Sequence, residues 1–125
     1  MRWFSGLLVL LLALLFTPAV AQATHAGPQI TVQVTNAGFS DVTVFQVCGE
    51  RATRVVRVTA QTSEHRVVGD CPAMNGTMTL LVRENGGEGR SVLLENISAN
   101  DGESIQVTVE ATIQQTWYRV RGRSW

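Results

Sequence analysis

Lysine is absent from this chain: all ten of its cations are arginine, set against ten Asp and Glu, so the formal net charge is zero. With 16% charged residues and no excess of either sign, it lacks the basic footprint of a nucleic-acid binder, and no nucleic-acid partner is expected. Histidine occurs twice, at His25 and His65, neither with a partner at a ligand spacing, so no metal site is expected. Asn100-Asp101-Gly102-Glu103 offers oxygens but lacks the rest of a calcium loop and reads as a solvated turn. There is no G-x-S-x-G nucleophile turn. Gly86-Gly87-Glu88-Gly89 is glycine-rich but opens no helix, so it reads as a hairpin turn, not a phosphate cradle, and no cofactor is expected. At 125 residues there is room for about one domain.

Hydrophobicity is unevenly spread. Seven of the eleven leucines fall in the first sixteen residues. Met1-Arg2-Trp3 carries a positive charge, residues 6–16 are apolar throughout, Thr17 and Pro18 break the helix, and Ala19-Val20-Ala21 supplies small residues for a cleavage site. This is the pattern of a secretory signal peptide over residues 1–21, with a second cut site after Ala23. The apolar run is about half the roughly 20 residues that span a bilayer, so no stable membrane span is expected after cleavage. The expected location is therefore outside the cytoplasm, periplasmic or secreted. Residues 22–28 read as a flexible lead-in, residues 29–121 as the folded domain and residues 122–125 as a frayed tail.

From residue 22 onward the chain is built for strands. Val, Ile and Thr supply 31 of 104 residues, and β-branched side chains suit a pleated surface. Ile30, Val32 and Val34 alternate with Thr31, Gln33 and Thr35; similar alternation marks Val42 and Val44, Val56 and Val58, Met78 to Val82, Val92 and Leu94, and Ile105 to Val109. Residues 65–68 form a weaker run, and residues 113–120 complete the set. Gly and Asn sit at the breaks, where tight turns need positive φ. No sustained 3.6-residue apolar stripe is present. The expectation is an all-β fold: an antiparallel two-layer sandwich of seven or eight strands, immunoglobulin-like or transthyretin-like, after an N-terminal signal peptide.

Two cysteines remain, Cys48 at a strand end and Cys71 in a loop. In an exported chain this pair reads as a disulfide. Their spacing of 22 intervening residues is not the C-x-x-C of a redox pair, and two thiols cannot complete a zinc site alone.

Two further sets bear on function. Ser63, His65 and Asp70 can be assembled into a nucleophile, base and orienting group, but the simpler reading of His65 is a half-exposed strand residue. At the C-terminus, Trp117, Tyr118, Arg119 and Arg121 are the densest aromatic and basic group. They read first as an edge strand whose outward arginines block further pairing. The second reading is a surface for an anionic or ring-bearing partner such as lipid headgroups, polyanions or glycan. A terminal Trp125 suggests an outer-membrane barrel strand, but stepping back by twos meets Arg123, Arg121 and Arg119, which rejects it.

Asn36-x-x-Phe39-x-Asp41-Val42-Thr43-Val44-Phe45 followed by Gly49-x-Arg51 resembles the opening of small exported bacterial β-sandwich proteins of unknown function. Leu80-Leu81-Val82-x-x-x-Gly86-Gly87 and Asn100-Asp101-Gly102-Glu103-Ser104-Ile105-x-Val107 extend the likeness over residues 30–110. It implies a compact β-sandwich in the bacterial envelope with no assigned activity, and Cys48 and Cys71 depart from its pattern. The functional expectation is a non-enzymatic module acting by surface or edge-strand interaction on an unknown envelope or extracellular protein. The alternatives are small-molecule or glycan binding through an aromatic and Arg-rimmed cleft, and a small hydrolase. Intact-mass measurement of the exported protein is expected to show a chain beginning at Gln22; a chain retaining Met1 in a membrane fraction contradicts the export reading.

Overall fold

The computed structural model describes residues 29–69, 71, 77–86 and 88–122. The expected signal peptide, the lead-in, Asp70 and tail residues 123–125 lie outside the described residues. Among the described residues the chain forms eight strands: β1 (Gln29–Asn36), β2 (Val42–Cys48), β3 (Arg51–Val58), β4 (Thr62–Gly69), β5 (Thr77–Glu84), β6 (Ser91–Ser98), β7 (Ser104–Val109) and β8 (Trp117–Arg121), with one 3-10 turn at Ile113–Gln115.

The strands make two four-stranded sheets, β4-β1-β7-β8 and β3-β2-β5-β6, packed face to face as a sandwich. The first strand lies between the fourth and the seventh, and the second belongs to the opposite sheet. In an immunoglobulin order the first strand would pair with the second. The transthyretin-like alternative remains. All neighbours are antiparallel except β1 and β7, which run parallel. Each connection reverses the chain, so odd-numbered strands all point the same way, and β1 and β7 happen to be neighbours.

Alternating apolar residues meet between the sheets. Ile30, Val32 and Val34 of β1 and Ile105, Val107 and Val109 of β7 face Val42 and Val44 of β2 and Met78, Leu80 and Val82 of β5, all buried. Two bulges interrupt the pattern. Val55 is an extra residue in β3, between the pairs Val44–Val56 and Phe45–Arg54. In β6 the pairing skips between Leu94 and Ile97, where Asn96 takes a left-handed φ of 57°. Residues 113–120, expected as one strand, divide instead. Ile113 turns inward and is buried, and the N–H of Thr116 donates back to the Ile113 carbonyl at 3.1 Å, closing the turn before β8 begins.

One end of the sandwich is organised by a buried polar side chain. Asn36 Nδ2 donates to the carbonyls of Ser40 and Val58, at 2.8 and 3.2 Å, and its Oδ1 accepts the Gly38 N–H at 3.0 Å. These bonds tie the β1–β2 crossing to the end of β3. A Cβ on Gly38 would lie 2.9 Å from the Glu110 carbonyl oxygen, so the crossing passes too close to the segment after β7 for a larger residue.

The other end carries the Cys48–Cys71 disulfide. It links the end of β2 in one sheet to the residue two places beyond β4 in the other, and the loop it closes contains β3 and β4. These are edge strands of opposite sheets on the same flank. The Gln46 side chain reinforces the joint by donating to the Gly69 carbonyl at 2.7 Å. Replacing Cys48 and Cys71 together by Ala is expected to lower stability by about 3 kcal/mol for a loop of this length. Urea unfolding of the oxidised protein and the variant measures it; equal midpoints and slopes would show that the link contributes nothing.

Candidate functional site

The hydrogen bonding of β1 determines what the neighbouring edge offers. The Thr31 N–H donates to the Glu103 carbonyl, the Gln29 carbonyl accepts the Gly102 N–H, and the Ala37 N–H donates to the Val109 carbonyl. Odd-numbered residues of β1 thus turn their backbone groups toward β7, and even-numbered ones toward β4. Val34–Glu64 and Val32–Arg66 are therefore hydrogen-bonded pairs in the β1–β4 ladder. It follows that Ser63, His65 and Val67 of β4 turn their N–H and C=O groups to the side on which no described strand pairs. The Arg66 Nη1 donates to the outward His65 carbonyl at 3.0 Å.

β4 pairs with β1 through eight consecutive positions without a register shift. All of its residues except Val68 are exposed. Glu64 and Arg66 lie on the face of the sheet shared with Val34 and Val32, yet β4 stands so far to the side that both stay solvated. The other three edges are blunted. β3 carries the Val55 bulge with Arg51, Arg54 and Arg57; β6 carries the Asn96 bulge; β8 has only five residues, two of them outward arginines.

The outer face of the first sheet bears three rows across all four strands, each read from the pairing: Val67–Thr31–Ser104–Arg121, His65–Gln33–Gln106–Arg119 and Ser63–Thr35–Thr108–Trp117. The middle row is bonded in sequence. Arg119 Nε donates to Gln106 Oε1 at 2.8 Å, and Gln106 Nε2 donates to Gln33 Oε1 at 3.4 Å. Trp117, 44% exposed, donates its Nε1–H to Glu110 Oε1 at 2.9 Å. Of the C-terminal residues singled out from sequence, Trp117, Arg119 and Arg121 share this outer face. Tyr118 alternates to the other side and packs against the core with Val120. Ser63 and His65 also share the outer face, but Ser63 Oγ bonds Thr35 Oγ1 at 3.2 Å rather than the imidazole. Among the described residues, no group of three or more His, Cys, Asp or Glu side chains converges on a cation position.

Two hollows lie elsewhere. One, of about 40 Å³, sits at the Asn36 end beside Phe39 and Ile113. The other is an open shelf on the outer face of the second sheet, lined by Phe45, Arg57, Arg83 and the β5–β6 turn. Neither includes Trp117, Tyr118, Arg119 or Arg121. Asp41 stands beside the shelf and joins three segments. Its Oδ1 accepts the Ala60 N–H at 3.0 Å, its Oδ2 pairs with Arg57 at 3.2 Å, and its carbonyl accepts the Asn85 N–H at 2.8 Å. The Ala60 amide, and after it the Arg57 guanidinium, hold the Asp41 carboxyl below its usual range.

The fold and these surfaces define an eight-stranded two-layer sandwich in which, among the described residues, β4 is the edge that is neither bulged nor short. No family model matches the chain, and no curated protein matches it.

The β4 edge is the hardest part to read in the sequence, because Thr62–Gly69 has little apolar alternation. That weakness is itself the available signal: a β-rich segment of eight residues without a buried face belongs at an edge. Because the folded Asp41 carboxyl is depressed, its contribution to stability is fully present above the unfolded carboxyl's titration. It is lost as pH falls from about 4 through the lower folded value. Asp41→Asn is therefore expected to be less stable than the parent at pH 6 and to lose less on acidification to pH 3, measured by denaturant midpoints at both values; parallel losses would contradict the assignment.

Proposed function

We propose that this chain is an exported, non-enzymatic module of the bacterial envelope that acts by pairing the edge of β4 with an extended strand of a partner protein. The observation that carries this reading is the unbroken eight-residue edge, with the backbone groups of Ser63, His65 and Val67 turned outward while the other three edges are bulged, short or lined with arginine. In strand addition, main-chain hydrogen bonds supply affinity and alternate side chains supply selectivity. Here the selecting side chains are Glu64 and Arg66 on one face, and Ser63, His65 and Val67 on the other. The disulfide supports an oxidising location, and the signal-peptide pattern at residues 1–21 supports export.

A second reading is favoured by Trp117. Its exposed ring lies in line with Arg119 and Arg121 on one face, a strip suited to stacking on a sugar or holding an anionic group.

Photo-crosslinking in cells separates the two. A photoreactive residue at His65 is expected to trap protein adducts several-fold more than one at Glu95 on the bulged β6 edge. Equal trapping at the two edges, or adducts confined to position 119, overturns the edge assignment.

A further inference from the structure

Resting on the edge-pairing reading, we infer that the strand received by β4 is β4 of a second copy, antiparallel and centred on His65. Hydrogen-bond phase limits the registers that such a pairing can take. The outward backbone groups belong to Ser63, His65 and Val67. A two-fold axis through His65 sets these against the partner's Val67, His65 and Ser63, so every outward residue meets an outward residue, and about six main-chain bonds form at two per hydrogen-bonded pair.

Charge then selects this register over its neighbours. With the axis at His65, Glu64 faces the partner's Arg66, and Arg66 faces the partner's Glu64. Both are non-hydrogen-bonded positions, where opposed side chains approach most closely. An axis one residue earlier sets Glu64 against the partner's Glu64, and one residue later sets Arg66 against the partner's Arg66. Like charges directly opposite are unfavourable. All four of these side chains start exposed, so pairing does not strip them of a buried environment. The Arg66 bond to the His65 carbonyl is given up, and that carbonyl accepts the partner's His65 N–H instead. On the outer face, Val67, 59% exposed, is set beside the partner's Ser63. The product is one continuous eight-stranded sheet formed from the two β4-β1-β7-β8 sheets, an isologous arrangement that closes on itself.

The test uses the purified, exported, disulfide-bonded chain in sedimentation velocity over a concentration series. The expected result is a monomer–dimer equilibrium. Glu64→Arg makes both cross-strand pairs Arg against Arg and is expected to weaken association about tenfold or more. The double swap of Glu64→Arg with Arg66→Glu restores opposite charges and is expected to restore the dimer, which a folding defect would not do. Register is read by oxidation. His65→Cys brings two thiols to a spacing that a disulfide bridges and is expected to give a covalent dimer. Ser63→Cys leaves its thiols about four residues, roughly 13 Å, apart and is expected to stay unlinked. A wild-type chain that remains monomeric overturns the self-pairing while leaving envelope adducts at position 65 to speak for a different partner. A dimer indifferent to the charge reversal, not rescued by the double swap, or linked equally through position 63, also overturns it.

Discussion

The seating of β1 between β4 and β7 governs the rest of the structure. In a strand, side chains and backbone groups alternate with the same period. Burial of Ile30, Val32 and Val34 therefore also decides that these residues bond to β4, while Thr31, Gln33 and Thr35 bond to β7. A slip of one residue would move three branched apolar side chains into water and reverse both ladders together. The same alternation passes to β4. Its residues with outward side chains are the ones whose amides and carbonyls face the open flank.

The four edges show how differently one small sandwich handles exposed backbone. β3 and β6 are distorted by an extra residue, and β8 is short and cationic. β4 relies on charge: Glu64 and Arg66 occupy positions on the side facing the core, where a stacked apolar sheet would exclude them. Such a pair discourages indiscriminate apolar pairing. Because the two signs differ and lie two residues apart, it also leaves an ordered complement.

Much of the architecture is legible in the amino-acid sequence alone. The apolar alternation of β1, β2, β5 and β7 corresponds to the four central strands, because these have one face buried and one wet, and the Cys48–Cys71 pairing follows from there being only two cysteines. The parallel relation of β1 and β7 is not legible, since it depends on which strands become neighbours after six reversals of the chain. Ile113 reads as the start of a strand because one inward apolar residue in a 3-10 turn gives the same local pattern. The surface at the C-terminus is visible as composition, but only the pleat separates Tyr118, which packs inward, from Trp117, Arg119 and Arg121. The β4 edge carries the weakest signal, because an edge strand lacks the buried stripe that makes a strand recognisable.

The bond between Cys48 and Cys71 makes a covalent ring of the β3–β4 excursion, the flank on which the two sheets share the least cover. With both thiols reduced, that flank keeps the β1–β4 and β2–β3 ladders, the corner at residues 59–61 and the Gln46–Gly69 hydrogen bond, and loses its covalent closure. Oxidation thus restricts the unfolded excursion between residues 48 and 71 rather than supplying a contact that the ladders lack.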